Sequence, residues 1–358
     1  MTPGRSGFAI FFGTRPQVIK ASVLRRALAD VGPVAAVDTG QHYDYPLHQV
    51  HYDQLDIAPP DAYLGVGSNS HGQQTAAILT AAESWIREHQ PRAVVVIGDT
   101  NSTLGCALAA AKERVPVAHV EAGLRAADAL MAEEINRRCV DAIASILFAP
   151  SERAEATLRR ERADGEIHRV GDVAYDVLRH SLARIPTSAA NGEYVYATLH
   201  RAELVDDVEL LSGVLKALGT LSRPVVFPAH PRTLAAIKRG GLVVPSTVRM
   251  SEPLGYLESL TTLRDAALVV TDSGGIQREA YWLGVPCVTV RTETEWTETV
   301  ECGANRLLPP AESESLARAV SEAIAARRRG WDRSAYGDGK AAERIACILS
   351  ESLASKRP

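Results

Sequence analysis

Leu268-Val269-Val270-Thr271-Asp272-Ser273-Gly274-Gly275-Ile276-Gln277-Arg278-Glu279-Ala280 is the segment whose reading decides the fold class. Its aliphatic, β-branched start reads as a buried strand, the Ser-Gly-Gly as a tight turn, and the residues that follow as the opening of a helix. Strand, glycine turn and helix in that order make a cradle for a diphosphate. The glycines let the backbone approach the oxygens, the free N–H groups and the helix dipole favour negative charge, and Ser273 can donate a further hydrogen bond. Glu279 lies about one turn into the helix, where its carboxylate can accept ribose hydroxyls. Taken alone, Ser-Gly-Gly reads equally well as an ordinary strand-to-helix turn.

Working outward, a second segment of the same kind opens the chain. Phe8 to Phe12 is an apolar strand, too short for a signal-peptide core, and it runs into Gly13-Thr14-Arg15-Pro16-Gln17-Val18-Ile19-Lys20. Thr14 suits the cap of a helix and Pro16 its first turn, leaving Arg15 either to reach a phosphate or to be solvated. Between and around the two cradles, short β-rich runs alternate with longer helical patterns. The strands are expected at 8–12, 34–38, 93–97, 117–120 and 144–148, and again at 194–198, 225–228, 268–271 and 287–290. Such alternation predicts a doubly wound α/β architecture with parallel sheets. The restart after Ile185-Pro186-Thr187 divides the chain into two Rossmann-like domains, 1–175 and 176–339, that face a cleft. A helical stretch at about 340–358 is expected to cross back to the first domain.

Composition narrows the partners. With 358 residues and 46% hydrophobic residues the chain can bury two cores. A net charge of -4 gives no basic excess for nucleic acid, and no apolar run is long enough for a bilayer, so neither nucleic acid nor membrane is expected as a partner. Five scattered cysteines without a CxxC pair point to reduced thiols and a cytoplasmic protein rather than a disulfide framework or zinc site. His42, His48 and His51 lack metal-ligand spacing, and no metal is expected.

Three acidic residues border apolar strands in the first half: Asp99, Glu121 and Glu133. Asp99 and Glu121 should sit at neighbouring strand ends, where repulsion and burial tune carboxylates for acid–base work. The plainer readings are a helix cap for Asp99 and ion pairing of Glu133 and Glu134 with Arg137 and Arg138 on a solvated face, the latter preferred for Glu134. His200 ends the first strand of the second half, where an imidazole could meet a leaving diphosphate or serve structure alone.

In order, Gly13-Thr14-Arg15-Pro16, Thr39-Gly40-Gln41-His42, Gly98-Asp99-Thr100, His119-Val120-Glu121-Ala122-Gly123-Leu124-Arg125, Glu133-Glu134-Ile135-Asn136-Arg137, Thr198-Leu199-His200-Arg201, His230-Pro231-Arg232, Glu252-Pro253-Leu254-Gly255-Tyr256, Asp272-Ser273-Gly274-Gly275-Ile276-Gln277 and 291–296 resemble the non-hydrolysing UDP-N-acetylglucosamine 2-epimerase family. The resemblance implies a glycosyltransferase-B-type fold, a homodimer, and no cofactor. It implies elimination of UDP from C1 as the C2 proton leaves, then re-addition of UDP to an enzyme-bound 2-acetamidoglucal. It assigns Asp99, Glu121, Glu133 and His200 as catalytic. Arg15, Lys20, Arg137, His230, Tyr256, Ser273, Gly274, Gly275 and Glu279 are assigned to the UDP-sugar.

Two positions depart from the family pattern: Ala132 stands before the Glu-Glu pair, and Ala202-Glu203-Leu204 follows His200-Arg201. Gln17-Val18-Ile19-Lys20-Ala21, Gln41-His42-Tyr43-Asp44-Tyr45 and Trp296 look more like the branch of UDP-2,3-diacetamido-glucuronate 2-epimerases. Segments 43–46 and 68–72 differ from the members activated by their own substrate, so hyperbolic kinetics are expected. The competing functions are a hydrolysing epimerase, a glycosyltransferase and a UDP-sugar sensor.

Overall fold

The computed structural model describes residues 7–41, 57–126, 128–161, 165–187, 192–327 and 330–354. They form two compact units, one of residues 1–182 together with 334–358, the other of residues 183–333.

In the first unit, seven strands build one sheet: β1 (Phe8–Phe12), β2 (Val34–Asp38), β3 (Ala62–Tyr63), β4 (Ala93–Ile97), β5 (Val117–Val120), β6 (Ile146–Ala149) and β7 (Glu166–Arg169). Their spatial order is β3-β2-β1-β4-β5-β6-β7, with all pairs parallel. Both faces of the sheet are covered, so β1 and β4 are buried along their whole length and carry apolar residues at every position rather than at every second one. One face buries Phe8, Ile10, Val95 and Phe148 with Leu24 and Leu28 of helix Arg15–Ala29 and Ile345, Leu349 and Leu353 of helix Ala341–Ala354. The last helix thus completes the core of the first unit, its first two amides capped by the Asp176 carboxylate at 3.1 and 2.9 Å.

The second unit holds a six-stranded parallel sheet: β8 (Val195–Thr198), β9 (Val225–Pro228), β10 (Val248–Ser251), β11 (Leu268–Thr271), β12 (Cys287–Thr289) and β13 (Asn305–Leu307), ordered β10-β9-β8-β11-β12-β13. Both sheets therefore reverse direction of winding once, between β1 and β4 and between β8 and β11. At such a switch point the connections leave on opposite sides and open a crevice beyond the carboxyl ends of the strands. β1 and β4 lead into Gly13 and Gly98, and β8 and β11 lead to His200 and Ser273, so the segments singled out in the sequence lie at the two switch points.

Every expected strand is present, with boundaries shifted by up to two residues. The four that the sequence did not yield, β3, β7, β10 and β13, are the edge strands of the two sheets. An edge strand has one neighbour and partial solvent contact, so Glu166-Ile-His-Arg169 and Val248-Arg-Met-Ser251 carry charges where interior strands carry valines.

Candidate active site

In the first unit the site begins with a backbone irregularity. Gly98 (φ +66°), Glu121 (φ +70°) and Gly123 (φ +84°) all adopt the left-handed region immediately after β4 and β5. For Gly98 and Gly123 this costs little; for Glu121 it is a strained conformation of the kind that surrounding structure must enforce. The consequence is that Glu121 turns toward the Gly98-Asp99 turn, where a Cβ on Gly98 would lie 3.3 Å from Glu121 Oε2.

Each carboxylate is matched by a cation. Lys20 Nζ, one and a half turns into helix Arg15–Ala29, lies 2.5 Å from Glu121 Oε1. Arg137 is buried on helix Ala132–Ile143 and bridges Glu134, at 2.6 Å, to Asp99. Burial pushes Asp99 above the ordinary carboxylate range; Arg137 opposes this and the neighbouring Glu121 charge reinforces it. The turn is fixed from below by Asn136, whose Nδ2 donates to Asp99 O at 2.9 Å. The helix after Asp99 is capped by Thr100, whose hydroxyl accepts from Thr103 N, so Asp99 is not the cap and its carboxylate is left for other work.

Arg15 is half-buried at the start of its helix and has no acidic partner among the described residues. Burial lowers its pKa, yet a guanidinium stays charged. Glu133 is exposed in the first turn of helix Ala132–Ile143. Glu134 corrects the expectation of a solvated face. Its pairing with Arg138 at i,i+4 is present, but the side chain is fully buried and also accepts from Ala126 N at 2.9 Å. The cations Arg137 and Arg138 and the Ala126 amide make that burial affordable, which a helical-wheel reading of alternating charges cannot reveal.

In the second unit His200 lies two residues beyond β8. Its Nδ1 is 3.2 Å from Oδ1 of the buried Asp272, whose other oxygen accepts from His200 N and Arg201 N. Asp272 thereby holds the backbone at His200 and Arg201 and sets its carboxylate beside the half-exposed imidazole, a role the sequence did not assign to it. His230 caps helix Pro231–Arg239, its ring 5.8 Å from that of His200. Ser273 caps helix Gly274–Leu283, its hydroxyl accepting from Ile276 N, while the amides of Gly274 and Gly275 precede the first intrahelical bonds. The two glycines differ. A Cβ on Gly274 would come within 3.1 Å of Trp296 Nε1, whereas one on Gly275 would meet only Ser273 Oγ at 3.8 Å. Packing therefore accounts for Gly274 but not for Gly275. Trp296 in turn stacks under Arg278, 3.8 Å from ring centroid to guanidinium. Glu279 accepts from Tyr256, and burial raises its pKa to about 7.

The described residues contain no cluster of three or more potential metal ligands. His42, His48, His51 and segment 43–46 lie outside the described residues. No described helix is long and apolar enough to cross a membrane. A cavity of about 590 Å³ among Ile19, Arg25, Arg26, Ile57, Val177 and His180 contains none of the candidate residues.

The family described as UDP-N-acetylglucosamine 2-epimerase matches residues 31–350. This chain belongs to that family. The UDP-2,3-diacetamido-2,3-dideoxy-D-glucuronate 2-epimerase of Pseudomonas aeruginosa is 41% identical, with 95% of this chain and 98% of that protein aligned. The crystal structure of the Methanocaldococcus jannaschii UDP-GlcNAc 2-epimerase in complex with UDP-GlcNAc and UDP has a TM-score of 0.88 at 38% identity, covering 96% of this chain and 99% of that one. Beyond the epimerase family, the calicheamicin glycosyltransferase CalG4 shares the fold, with a TM-score of 0.59 at 17% identity over 99% of this chain and all of that one. The fold is thus of the glycosyltransferase-B type.

Proposed function

We propose that this member of the epimerase family inverts C2 of a UDP-linked 2-acetamido sugar, interconverting UDP-N-acetylglucosamine and UDP-N-acetylmannosamine. The observation that carries the reading is the pair of strand-end carboxylates, Asp99 and Glu121, each held by its own cation and brought together by a strained backbone. A C2 hydrogen is hardly acidic, so its removal must be coupled to departure of UDP from C1. In the forward step a carboxylate takes the C2 proton, the C–H pair forms the C1=C2 bond, and the C1–O pair leaves on UDP. In the return step UDP oxygen rebuilds the C1–O bond and a proton is delivered to the opposite face of C2. Asp99, Glu121 and Glu133 supply the acid and base groups. Charge growing on UDP is stabilised by Arg15, by His200, whose backbone Asp272 holds, and by Ser273 with the amides of Gly274 and Gly275. Glu279 and Tyr256 receive the nucleoside. Lys20 and Arg137 bind indirectly, by fixing the carboxylates.

The test is proton NMR with UDP-N-acetylglucosamine in deuterated water. Deuterium at C2 together with the manno isomer is the expected result, and Glu121→Gln should slow it about 10²- to 10⁴-fold. Release of free N-acetylmannosamine would replace this reading with a hydrolysing epimerase. A second reading, the same chemistry on a UDP-2,3-diacetamido-glucuronate, is favoured by the 41% identity to the Pseudomonas enzyme. Exchange at C2 with that substrate alone would select it. Action in the cytoplasm as a homodimer completes the proposal; sedimentation at micromolar concentration addresses the dimer.

A further inference from the structure

His119, in the middle of β5, is fully buried, and both of its ring nitrogens meet acceptors. Nδ1 lies 2.7 Å from Asp141 Oδ1 and Nε2 lies 2.8 Å from the carbonyl oxygen of Gly98. A carbonyl oxygen can only accept, so Nε2 must carry a hydrogen. The same argument applies at Nδ1 if Asp141 is ionised. Its second oxygen accepts from Gly123 N at 3.1 Å and from Arg125 Nη1 at 2.8 Å, an environment that suits a carboxylate. Burial pushes Asp141 up, and independently of His119 the charge and hydrogen bond of Arg125 act against it.

The two acceptors are no arbitrary pair. Gly98 O belongs to the peptide that bears Asp99, and Asp141 holds the amide of Gly123, two residues beyond Glu121. We infer that His119 is a positioning residue that sits in the core as an imidazolium and ties together the two left-handed turns that present Asp99 and Glu121. Its charge works in addition to its hydrogen bonds. The charged groups on the elements around it are Asp141, Glu134 and Arg137 of helix Ala132–Ile143, Arg125 of the preceding loop, Asp99 and Glu121 at the strand ends, and Lys20 on Glu121. A positive charge beneath the turns acts in the same direction as Lys20 and Arg137, favouring ionised carboxylates at the ends of β4 and β5.

The structural part is tested without any assay. In protein labelled with ¹⁵N-histidine, His119 is identifiable as the only fully buried histidine among the described residues, through its slowly exchanging ring protons. At neutral pH both of its ring nitrogens should resonate as protonated; one unprotonated ring nitrogen would overturn the inference. The kinetic part rests on the epimerase reading. In His119→Gln, which can keep a hydrogen bond but not the charge, the acid limb of kcat/KM should move to higher pH by about half a unit or more. KM should stay within about twofold, because the UDP groups of the second unit are untouched. A uniform fall in kcat with an unmoved limb would mark His119 as a structural residue only. Failure of the wild-type protein to exchange C2 protons would instead count against the epimerase reading, with the ¹⁵N result standing by itself.

Discussion

Glu279 and Gly275 are the residues at which the nucleotide reading is most exposed to test. With a pKa of about 7, Glu279 changes charge within the physiological range. Because the folded state holds this proton more tightly than the unfolded chain, its contribution to stability declines as pH rises from the ordinary glutamate range toward 7. Ligand affinity should run the other way. If the ionised carboxylate accepts ribose hydroxyls, UDP-N-acetylglucosamine should bind more tightly as pH rises through about 7, a dependence that calorimetry on the slowed Glu121→Gln protein should show and that Glu279→Gln should abolish. Gly275→Ala should leave the melting temperature within about a degree, as surface changes do, yet weaken UDP-sugar binding about tenfold or more, since the space beside it is wanted by ligand and not by protein. An equal loss of stability would mean that packing, after all, required the glycine. Not all of this was legible beforehand. Asp99, Glu121 and His200 stand out in the sequence because they follow apolar strands. Asp141 and Asp272 do not, because what matters about them is a contact across 22 or 72 residues of chain.

At the scale of elements, the buried side chain of Gln17 joins the two connections at the first switch point. Its Oε1 accepts from Gly13 N and Thr14 N at 3.0 and 3.2 Å, and its Nε2 donates to Ile97 O at 2.6 Å and to the hydroxyls of Thr100 and Thr103. Gln17→Leu would strand the Gly13 and Thr14 amides, while Ile97 O keeps its bond from Thr103. Two buried donors left unmet predict a loss of about 3 kcal/mol in urea unfolding of the first unit, with Arg15 displaced and UDP-sugar binding weakened. Interior strands announce themselves by unbroken aliphatic runs, and the two glycine turns by their place at the end of such runs. Edge strands escape the same logic: Asn305-Arg-Leu307 pairs with β12 on one side only, and its composition is that of a loop.

For the whole molecule, the decisive fact is that one unit is continuous and the other is not. Residues 183–333 form a unit from a single stretch of chain, whereas residues 1–182 need 334–358 to complete theirs. The fragment 183–333 should therefore unfold cooperatively when expressed alone, and the fragment 1–182 should lack a native near-ultraviolet spectrum until a peptide of residues 334–358 is added. A natively folded 1–182 on its own would show that Ile345, Leu349 and Leu353 are dispensable to the core. The helical pattern of that closing segment is readable in sequence, but which core it fills is a property of three dimensions.

That discontinuity also bears on how the protein is made. Synthesis runs from the amino end at roughly 5–20 residues per second, and domains fold as they emerge. The second unit, with the Ser273 turn, can therefore mature while the chain is still being extended, but the sheet carrying Asp99 and Glu121 waits for the final turns of helix Ala341–Ala354 to leave the ribosome.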